Sequence, residues 1–244
     1  MAIDLHKYAN PRRYLSILGA IYPWSVGLTV ALLIAGVYMA LFVAPPDYQQ
    51  GETVRIMFVH VPAAWMALMI YTMMAIFSAV GLIWKHPVAD LTAKAAAPIG
   101  ACFTFLALVT GALWGQPMWG TFWVWDARLT SMLILLFLYL GYMALWESFD
   151  DQTKAAKAAA ILALVGIINI PIIKFSVDWW NTLHQPASVA TMAGPKIHSS
   201  ILLPLLVMAL AYMAFFVMLL IIRVRAEILA RRLRILQISE VREQ

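Results

Sequence analysis

The sequence predicts an all-α integral membrane protein of six transmembrane helices, and three observations predict it. Of 244 residues, 64% are hydrophobic and only 12% are charged, against about 25% charged in a soluble globule. The mean hydropathy is +0.83. Six apolar runs are each long enough to cross about 30 Å of hydrocarbon as a helix, and runs of that length suit no other spanning architecture.

The first run, Ile21–Val43, is longer than the apolar part of a signal peptide, about 7–15 residues. It ends at Val43-Ala44-Pro45-Pro46, so it reads as a retained anchor. The next three are Val61–Ile83, Ala95–Trp114 and Leu129–Trp146. The fifth, Ala158–Phe175, is interrupted by Asn169, Pro171 and Lys174, and the sixth is Ser200–Ile222. Prolines 98, 171 and 204 bear on straightness and not on the count, because neighbours in a bundle can satisfy the freed backbone groups. No internal repeat or linker divides the chain, so 1–244 reads as one six-helix domain. Residues 223–244 form a basic amphipathic tail helix, expected to lie on the cytoplasmic leaflet.

Lys and Arg set the orientation. One side collects Lys7, Arg12, Arg13, Lys85, Lys94, Lys154, Lys157, Arg223, Arg225, Arg231, Arg232, Arg234 and Arg242. The other has only Arg55, Arg128, Lys174 and Lys196. The richer side is cytoplasmic, so both termini face inward and the connections 44–60, 115–128 and 176–199 face outward. The net charge of +5 therefore reflects orientation and is no nucleic-acid signal. The single cysteine, Cys102, lies inside an apolar run, which excludes an intramolecular disulfide, a Cys-x-x-Cys redox pair and a covalent haem attachment motif. It reads as a small buried hydrophobe.

The outer connections carry the informative residues. Trp114, Trp119, Trp123 and Trp125 place four of the ten tryptophans within twelve residues. Trp is enriched at membrane interfaces, and that reading suits Trp24, Trp65, Trp84 and Trp146. A cluster of four points instead to a platform for a flat ligand. Of five histidines, His6 and His86 read as solvated cytoplasmic residues. His60 precedes Pro62 at the start of the second span, and a helix N-terminus disfavours an imidazolium. His184 follows Trp179 and Trp180 in the third outer connection. Haem needs such a set: axial nitrogens for iron, aromatic surface for the porphyrin, and cations for two propionates. Arg55, Arg128, Lys174 and Lys196 are the only outer cations. Asp126, just before Leu129-Thr130-Ser131, reads first as an N-cap. His198 is a rival ligand. No Ser/His/Asp arrangement or glycine-rich phosphate loop stands out, so no enzymatic activity is expected.

Trp119-Gly120-x-x-Trp123-x-Trp125-Asp126-x-Arg128-Leu129-Thr130-Ser131 resembles the tryptophan-rich "WWD" signature of the haem-handling proteins of cytochrome c biogenesis. The similarity runs along the whole chain to their short six-span branch, the haem exporter protein C (cytochrome c maturation protein C) family. His60 in His-Val-Pro-Ala-Ala-Trp and His184 in Trp-Trp-Asn-Thr-Leu-His-Gln-Pro stand where that family has its outer-loop histidines.

The resemblance implies non-covalent haem b held in the periplasm by His60 and His184 as axial ligands. Trp114, Trp119, Gly120, Trp123, Trp125, Asp126, Arg128 and Arg55 would surround it. It also implies a bacterial inner-membrane location and hand-off to a membrane-anchored periplasmic haem chaperone. An ABC-type ATPase, its membrane subunit and a small single-span helper protein would assist release. The alternative class is a permease subunit of an ABC-type transporter moving haem or another amphiphile, which would line a midmembrane path with polar groups. The spans carry few. A haem-bearing electron-transfer subunit would place histidines inside the spans, whereas the candidates here flank them.

Overall fold

A computed structural model describes residues 10–185, 188–189 and 194–243. His6, read from sequence as solvated, lies outside them. Helix α1 (Pro11–Tyr38) opens on Asn10, whose side chain accepts the amide of Arg12, with Pro11 in the first turn where no amide bond is lost. A π-helical turn, Met39–Val43, continues it. A turn closed by paired Asp47 and Gly51 leads through a 3-10 turn, Glu52–Ile56, into α2 (Met57–Trp84). Helices α3 (Pro87–Trp119), α4 (Ala127–Glu147), α5 (Gln152–Gly166), α6 (Asn169–Trp179) and α7 (Ser199–Glu243) follow. The described residues contain no named strand.

Six segments are long and apolar enough to cross a membrane, α5 and α6 together forming the fifth. The expected count therefore holds, while the bounds widen: the first segment begins at Pro11 and the third runs from Pro87 to Trp119. The fifth is broken at Ile167–Ile168, where the sequence placed its interruptions. There the Asn169 amide donates to the Ser131 carbonyl of α4 at 2.8 Å. Pro171, which has no amide hydrogen, sits in the first turn of α6, where none is needed.

Close approach of helices holds the bundle together, as it must where lipid offers no hydrophobic drive between them. Gly100 of α3 lies against the Tyr139 ring of α4, and a Cβ there would fall 2.3 Å from it. The Tyr139 hydroxyl in turn donates to the Ala67 carbonyl of α2 at 2.7 Å, so one tyrosine fastens three helices. Gly166 of α5 makes similar room for the Tyr71 hydroxyl.

Three sequence expectations are corrected. Cys102 is exposed on the outer wall of the bundle, because its position on α3 turns away from the core. His86 is only 7% exposed and caps α3, its Nδ1 accepting the Ala89 amide at 3.1 Å. Trp146 is only 4% exposed and lies in the core under the Lys94 ammonium, whereas Trp24 is 80% exposed as a belt residue should be. The tail continues the sixth span without a break, α7 running from Ser199 to Glu243. Its first tail turns are fixed by Val224 and Ile228 packing on Leu91 and Ala95, by the Arg223–Ala95 carbonyl bond (3.1 Å), and by the Lys94–Glu227 ion pair (2.9 Å).

Gly100→Ala is expected to lower stability by about 1–3 kcal/mol through overpacking against Tyr139. Gly27→Ala, with open space around it, should be neutral or stabilising by up to about 1 kcal/mol. Thermal unfolding of the detergent-solubilised chain compares the two.

Candidate functional site

The first turn of α2, the last three turns of α3, the first turn of α4 and the connection after α6 meet at one end of the bundle. The geometry begins with His60, the fourth residue of α2. Its ring lies across α3, with Nδ1 3.0 Å from the Ala107 carbonyl and 3.2 Å from the Thr110 hydroxyl. Gly111 makes this possible, since a Cβ there would sit 2.9 Å from His60 Cε1. One turn further, Trp114 meets the His60 ring edge-on, with centroids 5.7 Å apart. The Trp114 indole N–H donates to Gln50 Oε1 at 2.9 Å, which ties α3 to the turn before α2.

His184 approaches from the connection after α6. Its amide donates to Thr182 Oγ1 at 2.9 Å, and its ring stands 6.2 Å from His60 and 6.1 Å from Trp119, centroid to centroid. Trp119 folds back along α3 because Gly115 has no side chain; a Cβ there would lie 2.9 Å from the indole. Arg128, second residue of α4, crosses to the C-terminal half of α6. Its Nε donates to Ser176 Oγ at 3.0 Å and Nη2 to the Lys174 carbonyl at 3.3 Å, while Nη1 lies 3.5 Å from His184 Nδ1. Among the described residues no carboxylate lies within ion-pair distance of it. Burial first, and then the Arg128 charge, push the His184 imidazole below its ordinary pKa, which favours the neutral ring.

The sequence-predicted residues divide in space. His60, His184, Trp114, Trp119 and Arg128 come together. Trp123 and Trp125 pair with each other, centroids 5.4 Å apart, and Trp125 is 75% exposed. Gly120 terminates α3 in the left-handed conformation (φ 76°), so its contribution is a backbone turn that other residues adopt only with strain. That stop also places Trp119 and Trp123 on no common helix face. Asp126 caps α4 as read from sequence, with Oδ1 accepting the Leu129 amide at 2.8 Å. Its Oδ2, like Trp123 Nε1, is buried without a partner. Arg55 is engaged elsewhere, donating to Glu52 and to the Ala40 and Ala44 carbonyls. His198 caps α7, accepting the Ser200 amide at 3.3 Å. Sequence reasoning missed Thr110, Gly111 and Gly115; the signal was available in two glycines spaced four apart, three residues before Trp114 and four before Trp119.

The sequence pattern of the family described as Heme exporter protein C matches residues 4–239. The chain belongs to the haem exporter protein C family. It is 59% identical to the heme exporter protein C of Bradyrhizobium diazoefficiens, over 98% of this chain and 89% of that one. The corresponding protein of Haemophilus influenzae is 49% identical over 92% of both chains. That of Escherichia coli is 54% identical over 74% of both.

In this family member Asp126→Ala should cost about 1 kcal/mol of stability through the lost cap. Asp126→Asn, which keeps a carbonyl oxygen for Leu129, should hold near the parent in the same thermal-unfolding measurement.

Proposed function

We propose that this chain binds haem b non-covalently between His60 and His184 and hands it to a membrane-anchored periplasmic haem chaperone for cytochrome c maturation. The observation that carries the reading is the close pair of imidazoles, with ring centroids 6.2 Å apart. Two axial nitrogens, each about 2 Å from one iron, keep their ring centres about 6 Å apart. Among the described residues no cluster of three or more His, Cys, Asp or Glu side chains could hold a bare metal ion. Two histidines are too few for such an ion and sufficient for an iron whose other four ligands come from a porphyrin.

The surroundings support the same group. Trp114 and Trp119 flank the pair with aromatic surface. Arg128 offers a guanidinium that can fork onto a propionate. The unpartnered Asp126 Oδ2 and Trp123 Nε1 are buried polar atoms of the kind a bound group or water satisfies. Arg55 acts behind the site, holding the turn that carries Gln50 against Trp114.

The excess of Lys and Arg at the opposite end supports this face lying outward, in the periplasm of a bacterium, with the chain in the inner membrane and its basic tail in the cytoplasm. Two axial ligands saturate iron, which suits safe holding and not oxygen chemistry, so the chain is a binding and transfer protein and no enzyme. Release then needs outside help, which an ABC-type ATPase, its membrane subunit and a single-span helper would supply. The printed names of the relatives, heme exporter protein C, agree with haem as the cargo.

The test is a visible absorption spectrum of the purified chain from haem-replete cells. The parent should show a six-coordinate low-spin haem. His60→Ala and His184→Ala should each lose the band or turn five-coordinate, and Gly111→Ala, which drives a methyl at the His60 ring, should weaken loading in the same direction. A parent without haem, or an unchanged spectrum in both histidine variants, would sink the assignment.

A further inference from the structure

The two histidines are held in different ways. His60 Nδ1 faces the Ala107 carbonyl, which only accepts. Its other neighbour, Thr110, already donates its hydroxyl hydrogen to the Leu106 carbonyl at 2.7 Å, so Thr110 Oγ1 can only accept as well. Both contacts demand a hydrogen on Nδ1. A neutral His60 therefore always has a bare Nε2, the tautomer that ligates iron.

His184 has no such settlement. Its Nδ1 lies 3.3 Å from the Gln185 carbonyl, which only accepts, and 3.5 Å from Arg128 Nη1, which only donates. One nitrogen cannot serve both. Donation to Gln185 leaves Nε2 bare. Acceptance from Arg128 puts the ring hydrogen on Nε2 and blocks it as a ligand. Both distances are long, as expected of an atom shared between incompatible partners.

We propose that Arg128 decides whether His184 can ligate iron, by choosing its tautomer. This rests on the haem-binding reading above. With its charge unclaimed, Arg128 donates to His184 Nδ1 and the ring keeps its hydrogen on Nε2. When a propionate claims the guanidinium, Nδ1–H turns to the Gln185 carbonyl and Nε2 is freed. The ring stays neutral throughout, and one hydrogen changes nitrogen. His60 is then the standing ligand. His184 is the conditional one, completed only by a porphyrin with free carboxylates and the first to let go when those carboxylates leave Arg128.

Two measurements on the full chain in lipid nanodiscs test this. The first is nitrogen NMR of the haem-free protein with labelled histidine, the His184 signals being assigned by their loss in His184→Gln. The parent should show hydrogen on Nδ1 of His60 and on Nε2 of His184. In Arg128→Met, which cannot donate, His184 should switch to the Nδ1 form. A parent His184 already in the Nδ1 form, or one unmoved by Arg128→Met, overturns the proposal without touching haem binding.

The second adds ferric haem b or its dimethyl ester, whose carboxylates are masked, and needs no variant. The parent should be six-coordinate with haem b and five-coordinate with the ester. Arg128→Met should regain six-coordination with the ester, a rescue that a mere propionate anchor or a structural role does not produce. Six-coordination of the ester in the parent overturns the proposal. Failure of the parent to ligate haem b through either histidine overturns the haem-binding reading instead, and the tautomers then stand or fall on the NMR alone.

Discussion

The bond from the His60 ring to the Ala107 carbonyl is the constraint on which the site depends. It fixes an imidazole from the start of α2 against α3, and Gly111 allows it by having no side chain there. Trp114 closes on the ring from one side and is itself anchored by Gln50. His184 then needs only one loop to bring it opposite. Once a ring is fixed by a backbone carbonyl, its second nitrogen has a defined direction, and a metal centre can be built on it.

This arrangement follows from the solvent the chain lives in. A helix in lipid must satisfy its own backbone, and polar side chains within the hydrocarbon are costly. Chemistry therefore collects toward the ends of the spans. The site uses the first turns of α2 and α4 and the final turns of α3 and α6. The bundle behind it is rigid for a different reason: glycines at 100 and 166 let α3, α4, α5 and α2 close upon buried tyrosines. Closely held ends are what a two-ligand site of the kind proposed would require, since a shift of an ångström at either ring would be enough to lose a shared ligand.

Much of this was legible in the sequence. Hydropathy gave six spans because length and apolarity are direct consequences of bilayer thickness. The Asp126 cap could be read because a carboxylate before a helical run has one dominant local use. His60 and His184 stood out as outer histidines beside aromatic clusters, and the WWD resemblance joined them. Other features were hidden because they depend on helix phase and tertiary contact. Nothing in a hydropathy profile says that α3 continues to Trp119, so Trp119 looked like a loop residue although it is helical. Whether Cys102 or Trp146 faces lipid or core is set by rotation about an axis that the sixfold packing decides. His86 beside a lysine looked solvated, yet the amide it caps holds it inside. The roles of Gly111 and Gly115 lie in what they leave out, which becomes visible only when the rings above them are in place.

The most direct test of the account is an electron-microscopy structure of the haem-loaded full chain in nanodiscs, at a resolution that locates iron and both imidazoles. The account predicts iron between the Nε2 atoms of His60 and His184, with Trp114 and Trp119 beside the porphyrin and a carboxylate on Arg128. Iron bound elsewhere, whether on His198 or between helices within the membrane, would contradict it.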